Sequence, residues 1–445
     1  MVGKHLVAAL ICMTTGTAWS GVAAGAAPEE AALPAAFQTG TRVADEMLIT
    51  FDPDTGPAEQ EELLAARGIR ILHRFETINA VQAVVEGPAT TLAAATRTLG
   101  QEETVVQVSP NRIFRLLQAP DDPNLSRQYH HDRISSSRAW DITTGSPEIT
   151  VAIIDTGVIY DHPDLEENYW TNPGESGRDA RGRDKRSNGV DDDGNGYIDD
   201  FRGWDFADKD NDPYDSHGHG THCAGSIGAR GDNGVGISGV NWRVSLVGLK
   251  FIGSSGEGQE ADAIRAIEYA IKMGFDITSN SWGGDPDPKA SGPDLLQKVI
   301  AEAGRRGQLF IAAAGNDGRN TDRKPTLPAS YDLDNIISVA ASDSRDRLAS
   351  FSNYGRTTVD LMAPGAAVYS TTRASLLRGP YGSMSGTSMA APLVAGAAAL
   401  VKARYPDADA AELKERLLRS VDRVPAAAGK VSTGGRLNLY RALTD

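Results

Sequence analysis

The sequence predicts an α/β protein, a parallel β-sheet flanked by helices, preceded by a small α+β unit. Two patterns carry that expectation. From Ile149 onward, short apolar runs alternate with amphipathic helical stretches, and a parallel sheet covered on both faces buries both kinds of segment. Before them, from about Asp45 to Arg115, six segments follow the order β-α-β-β-α-β, the ferredoxin-like arrangement. At 445 residues, the chain is long enough for two or three domains.

Residues 1–26 read as an export signal. Lys4 and His5 precede an apolar run from Leu6 to Met13, and Ala24-Gly25-Ala26 is an A-x-A cleavage pattern. That run is too short to cross a bilayer, and no later stretch reaches the roughly 18 apolar residues a spanning helix needs. The expectation is no membrane span and a secreted or periplasmic protein. Cys12 leaves with the signal, so Cys223 stands alone in the mature chain and no internal disulfide can form. The net charge of −15 argues against nucleic acid as a partner, because phosphates demand surfaces rich in Lys and Arg.

In the small unit, "EMLITF" (Glu46 to Phe51) alternates as a strand, and "PAEQEELLAARG" (Pro57 to Gly68) is helical with a glycine stop. "IRILHRF" and "AVQAVVEG" are two further strands, "ATTLAAATRTLG" (Ala89 to Gly100) is a second helix, and "TVVQVSPNRIFRL" closes with strand character. Residues 27–118, with a folded part over about 45–115, lie between the signal and the larger domain of residues 119–445. A removable pro-segment occupies that position; a binding module is the plainer reading.

In the larger domain "EITVAIIDTG" is an apolar run ending near Asp155, and "VSLVGLKFI" (Val244 to Ile252) is another. The helix "EADAIRAIEYAIKMG" places Ile264, Ile267 and Ile271 on one face. "FDITSNSWGG" and "LFIAAAGN" (Leu309 to Asn316) end in small and polar residues, with the helical "DLLQKVIAEAGRRG" between them. Ligands bind such sheets outside the carboxyl ends of the strands, where Asp155 and Asn316 fall.

The stretch "DSHGHGTHCAG" holds three of the eight histidines, His217, His219 and His222. As a metal site it lacks the carboxylate of an H-E-x-x-H pattern. Cys223 has small, apolar neighbours, the setting of a packed thiol rather than a nucleophile. His219 as a general base needs a serine to deprotonate and a carboxylate to hold its tautomer. Ser388 opens a helix rich in small residues, whose N-terminus presents free N–H groups to an oxyanion. Asp155, at a strand end, supplies the carboxylate. A rival pairs the two D-T-G copies at Asp54 and Asp155 as an aspartic dyad, but Asp54 lies in a proline-flanked turn.

"VAIIDTGV", "HGHGTHCAG" and "GTSMAAPLVAG", in that order, resemble the three signatures of the subtilisin-like serine proteases, the subtilases, and "AAAGN" (Ala312 to Asn316) resembles their oxyanion-hole segment. The likeness covers nearly all of residues 120–445. It implies a subtilisin-like fold and a triad of Asp155, His219 and Ser388, with Asn316 donating to the oxyanion. It implies peptide-binding edges at Ser254–Gly258, including Gly256 and Gly258, and at Ser281–Gly284. It also implies a primary pocket walled by Ser281, Trp282 and Gly283 and by Ala313, Ala314 and Gly315, with room for a large apolar side chain. The small unit resembles the family's inhibitory propeptide, removed by self-cleavage near Leu116, Leu117 or Gln118.

"DDDGNGYIDDF" (Asp191 to Phe201) places hard oxygen donors on alternating residues around a glycine turn, a pattern suited to Ca²⁺. The expected ligands are Asp191, Asp193, Asn195, the Tyr197 carbonyl and Asp199, with Asp200 substituting where an EF-hand has Glu. The resemblance to thermitase-like members implies a second calcium site at Asp122, Asp164 and Asn233. The whole reads as an exported, calcium-stabilised, monomeric serine endopeptidase made as a proenzyme. Its partners are protein or peptide substrates and its own propeptide. A catalytically silent protein of the same fold and a metal hydrolase are the rival readings.

Overall fold

A computed structural model describes residues 42–86, 91–113, 119–287, 289, 294–375 and 379–445. The expected signal and the expected self-cleavage point lie outside these residues. The chain divides into two compact units, Met1–Leu116 and Leu117–Asp445.

The first unit runs β1 (Arg42–Phe51), α1 (Pro57–Ala65), β2 (Ile69–Phe75), β3 (Ala80–Val85), α2 (Leu92–Leu99) and β4 (Val105–Arg112). Its sheet has the order β2-β3-β1-β4 with every pair antiparallel. Alternation along β1 turns Met47, Ile49 and Phe51 into a core with Leu64, Val81 and Leu99 from the other elements. The second helix starts later than its sequence pattern suggests, because the Thr91 side chain accepts the Ala94 N–H and caps it there.

The second unit opens with two short helices, α3 (Tyr129–Arg133) and α4 (Ser136–Trp140), then β5 (Gly145–Asp155), β6 (Gly203–Asp205), α5 (His219–Gly228) and β7 (Arg243–Lys250). Next come α6 (Glu260–Met273), β8 (Ile277–Asn280), α7 (Leu295–Arg305), β9 (Leu309–Ala313), β10 (Ile336–Ser342) and β11 (Leu361–Pro364). A hairpin of β12 (Val368–Ser375) and β13 (Gly379–Met384) precedes α8 (Thr387–Arg404) and α9 (Ala410–Arg419). Two short strands, β14 (Asp422–Arg423) and β15 (Gly435–Arg436), and α10 (Leu439–Thr444) close the chain. The main sheet has the order β14-β15-β11-β10-β9-β8-β5-β7-β6, parallel except between β14 and β15.

Both faces of this sheet are covered, which is why its strands read as unbroken apolar runs. Along β5, Val151 and Ile153 enter the core shared with α5 and α8, while Ala152 and Ile154 enter the one shared with α6. On α6 Ile267 is fully buried, and Ile264 and Ile271 pack half-buried beside it. Helix α8 is buried from Met389 to Val401. Its small residues let neighbours come close: a Cβ at Gly396 would lie 2.8 Å from Val240 Cβ. The order reverses at β5, which pairs with β7 on one side and with the later β8 on the other, and a crevice opens outside its carboxyl end.

Candidate active site

Asp155 ends β5 at that crevice, fully buried. Its Oδ1 accepts the Thr156 N–H at 2.7 Å and the His219 Nδ1–H at 2.8 Å. His219 is the first residue of α5 and its side chain is 23% exposed, so one ring nitrogen is held and the ring edge still reaches solvent. The helix starts there because Gly218 takes φ +101°, and it sits close because a Cβ at Gly220 would lie 2.2 Å from the Gly157 carbonyl oxygen. Asp215 pins the same turn. Its buried carboxylate accepts the N–H groups of His217, Gly218 and Thr221 at 2.8–2.9 Å and the Thr156 hydroxyl at 2.9 Å. Sequence reasoning did not single out Asp215, although an Asp just ahead of a helix start is a capping signal.

Burial is the largest influence on the His219 pKa and lowers it. The Asp155 charge, the hydrogen bond to it and the Asp215 charge together outweigh burial, and the pKa ends above its ordinary value of 6.5. The other two histidines of the cluster do different things. His222 is buried with Nε2 on the Val368 carbonyl at 3.0 Å, and burial pushes its pKa down to about 4. His217 is exposed, 3.6 Å from the point a Gly256 Cβ would occupy, and so stands at the cleft edge. Cys223 is buried beside the site, Sγ 3.4 Å from the Ser388 carbonyl oxygen and 3.9 Å from Asp155 Oδ2, and burial pushes its thiol pKa up.

Ser388 is the second residue of α8, half-buried. Its Oγ donates to the Ser281 carbonyl at 3.0 Å, and among the described residues no hydrogen bond joins it to His219. Ser281 returns the contact, its own Oγ donating to the Ser388 carbonyl at 3.0 Å. The Asn316 carboxamide is oriented from the other side, Oδ1 accepting the Thr387 N–H at 2.8 Å and the Thr387 hydroxyl at 3.1 Å. Thr387 Oγ1 also accepts the Gly315 N–H at 3.0 Å, so this threonine, missed in the sequence, ties the strand-end loop to the helix start. With Oδ1 fixed there, Asn316 Nδ2 faces the cleft. A Cβ at Gly386 would sit 3.5 Å from Asn316 Nδ2, 3.6 Å from Asn316 Oδ1 and 3.6 Å from the Ser388 N, so glycine keeps the space between the carboxamide and the helix start free.

One pocket reaches Ser388 and a second adjoins that pocket. A cavity of about 460 Å³ has Ser281, Trp282 and Gly283 on one wall and Ala313, Gly315 and Asn316 on the other. A larger one, about 880 Å³, shares Trp282 and Gly283 and is lined also by Gly256 and Gly258. Ala314 does not line the smaller pocket as expected. Just past the end of β9, it is buried instead in a core with Ala340, Val359 and Met362. Nor is that pocket apolar throughout. Cβ atoms at Gly283 and Gly315 would each lie 3.3 Å from Thr326 Cγ2, and beneath Thr326 lies Arg319, paired with Asp285. The Arg319 and Lys324 hydrogen bonds hold the Asp285 carboxyl below the usual range.

The acidic loop converges differently from its sequence pattern. Carboxylate oxygens of Asp193 and Asp200 come within 4.8 Å of one another and of Glu175, a residue the loop pattern did not contain. Asp191 instead accepts the N–H groups of Gly194, Asn195 and Gly196 at 2.8–3.2 Å, and Asp199 turns to the Gly189 N–H. The Tyr197 ring packs against Trp204 and Tyr269, while Asn195 Nδ2 donates to Asp193 at 3.2 Å and Asp200 at 2.9 Å. Glu175 Oε2 is buried without a partner, and burial, reinforced by Asp200, Asp192 and Asp193, pushes its pKa up to about 7. A buried carboxylate oxygen lacking a donor, facing two more carboxylates, fits a hard cation.

The second predicted set does come together. Asn233 Nδ2 donates to Asp164 Oδ1 at 3.2 Å, and the Asp122 charge acts on Asp164, whose pKa is pushed up to about 7 chiefly by burial. Asp122 Oδ2 accepts the Asp232 N–H at 2.9 Å, while its Oδ1 is buried and unpartnered, again the donor chemistry of a calcium site.

Residues 146–438 match the subtilase family, peptidase S8. The chain is 31% identical over 408 residues to the thermophilic serine proteinase of Bacillus sp. (strain AK1), covering 92% of this chain and 89% of that one. It is 35% identical over 325 residues to thermitase of Thermoactinomyces vulgaris, covering 73% of this chain and 99% of thermitase. Among solved structures, a protease of Pseudoalteromonas arctica PAMC 21717 aligns with a TM-score of 0.58 at 27% identity, over 73% of this chain and 99% of its own. A carboxylate-held histidine, a serine opening a buried helix and a mostly parallel sheet beneath them thus stand in a chain that belongs to the subtilase family, and it is a serine-type endopeptidase.

Proposed function

We propose that Asp155, His219 and Ser388 form the catalytic triad, that Asn316 and the Ser388 N–H form the oxyanion hole, and that the enzyme is an exported, calcium-stabilised endopeptidase made as a proenzyme. The observation that carries the reading is a histidine held 2.8 Å from a buried carboxylate, together with a pocket that Asn316 and Ser388 line side by side. Ser388 Oγ leaves the Ser281 carbonyl by rotation about χ1 and gives its proton to His219 Nε2 as it attacks the scissile carbonyl carbon. Asp155 stabilises the resulting imidazolium. The carbonyl oxygen, now an anion, accepts from Asn316 Nδ2 and the Ser388 N–H. His219 passes the proton to the departing amine as the C–N bond breaks, then deprotonates the water that hydrolyses the acyl-enzyme. Covalent labelling of Ser388 by a serine-directed phosphonate, located by peptide mapping, tests the assignment; labelling elsewhere would refute it.

Two further outcomes are expected. Asn316→Ala should lower kcat by about 10²–10³ with little change in KM, a magnitude taken from subtilisin, a member of this family. Gly386→Ala should fold, since a methyl there makes ordinary contacts, yet should lower kcat by crowding the Asn316 carboxamide and the Ser388 N–H. The pH profile follows from His219. The base works when neutral, so kcat/KM should rise with pH along a limb centred above 6.5. The sign for stability is opposite. A histidine with a raised pKa contributes fully below 6.5, and the contribution fades as pH climbs through the folded value.

The calcium set at the acidic loop is Glu175, Asp193 and Asp200, and the other is Asp122, Asp164 and Asn233. Bound ions would neutralise carboxylates that burial otherwise disfavours, which supplies stability in a mature chain without a disulfide. Residues 1–26 direct export, residues 27–118 act as propeptide and inhibitor, and residues 119–445 are the mature, monomeric protease. The antiparallel β-α-β-β-α-β unit preceding the protease fold supports the middle assignment. Among the described residues no helix is long and apolar enough to cross a membrane.

A further inference from the structure

The pocket beside Ser388 contains a cation. Arg319 comes off the loop after Asn316, and that loop is held by Asn353, whose Oδ1 accepts the N–H groups of Asp317 at 3.0 Å and Arg319 at 3.1 Å. The Arg319 side chain is only 18% exposed. Through Nη2 it pairs with Asp285 on one wall and donates to Thr326 Oγ1 at 2.9 Å, at one end of the pocket. Both Asp285 oxygens are taken, Oδ1 by Arg319 and Oδ2 by Lys324 at 3.0 Å. On the donor side the balance is incomplete. Arg319 Nη1 has only Asp317 Oδ2 at 3.6 Å, too long for a good hydrogen bond, while Nε is buried with no acceptor and lies out of a substrate's reach, so Nη1 is the donor left to offer.

We propose that Arg319 makes the primary pocket select a substrate side chain ending in a hydrogen-bond acceptor, glutamine or glutamate, at the residue before the scissile bond. This rests on the catalytic reading of Ser388 given above. A long apolar side chain would desolvate the guanidinium edge, Thr326 and Asp317 and return nothing to them. A lysine or arginine would meet Arg319 at close range, and of the two carboxylates lining the pocket Asp285 is already occupied, leaving only the Asp317 carboxylate to set against that repulsion. A carboxamide or carboxylate oxygen supplies the acceptor the guanidinium lacks, and a bond to a charged donor discriminates by about 10–100-fold.

The test is kcat/KM on peptides differing only at that residue, carrying Gln, Glu, Leu, Phe or Lys, with Ser388 titrated by the phosphonate to count competent sites. Wild type should favour Gln or Glu over Phe and Lys by at least about tenfold. The ratio of Glu to Gln tells whether charge or hydrogen bonding dominates. Arg319→Met, which keeps the stem, should lose that preference and gain on Leu and Phe. Wild type favouring Phe, Leu or Lys overturns the proposal, and so does an unchanged ratio in a fully titratable Arg319→Met. The wild-type series decides it even should the variant fail to fold. A wild type with no titratable Ser388 overturns the catalytic reading, and this proposal with it.

Discussion

Ser388→Ala, produced from residue 27 in calcium, should stay at full length while the wild type falls to the mass of roughly residues 119–445. Its kcat on peptides should drop by about 10⁶, a magnitude measured on subtilisin and carried over to this relative. The reason is that Oγ is the only atom of the site able to form the acyl bond; everything else orients it or stabilises charge. The variant should keep its fold. It loses one hydrogen bond, to the Ser281 carbonyl, while the Ser388 carbonyl keeps its contacts with Ser281 and Cys223. Cleavage of both chains alike would assign maturation to another protease. Two intact masses with normal circular dichroism would mean the small unit is not a self-removed propeptide.

Chelation should have the next largest effect. A site saturated at about 100 times its Kd contributes roughly 2.7 kcal/mol, so each lost ion should lower Tm by about 5 °C. The pH dependence of the chelated protein has a definite sign. Glu175 and Asp164 have ordinary values of 4.5 and 3.8 and are pushed up to about 7 by burial. Between about pH 4 and 7 the folded state therefore binds protons that the unfolded state has released, and stability falls as pH rises through that window. Chelated protein should melt lower at pH 7.5 than at 5.5, and calcium should remove most of the difference. Glu175→Gln supplies the control: at pH 7.5 in chelator it should melt above wild type, and added calcium should raise its Tm less. A Tm indifferent to chelator at both pH values would rule out calcium at these carboxylates.

The fold was legible because its signals are local. Apolar strand runs, amphipathic helices and a glycine-rich helix start each occupy a few consecutive residues, and Asp155, His219, Asn316 and Ser388 sit inside them. What stayed hidden is the set of contacts between distant segments. Glu175 meets Asp193 and Asp200 only because the loop folds back, and nothing around "NPGES" marks it as their partner. Asp191 and Asp199 fit a ligand pattern in sequence, yet the nearest unpaired N–H groups claimed them first. Ala314 looked like pocket wall because its neighbours Ala313 and Gly315 are, but its own side chain packs into a core with residues from distant segments. Arg319 was invisible for the same reason as Glu175. Its partner Asp285 lies on another loop, and small wall residues alone suggested an empty apolar slot.

Helix α8 carries Ser388 at its first turn and is buried from Met389 to Val401, among strands of the sheet and α5. Segments so enclosed open only when the whole domain opens. The nucleophile therefore cannot fray loose and leave a half-active molecule; a copy is either folded and competent or unfolded and edible. Inactivation on storage becomes an encounter between one intact copy and one unfolded copy, so it should accelerate with protein concentration rather than follow a fixed half-life. Backbone amides of α8 should be among the last to exchange with deuterium, at the rate set by those same rare global openings.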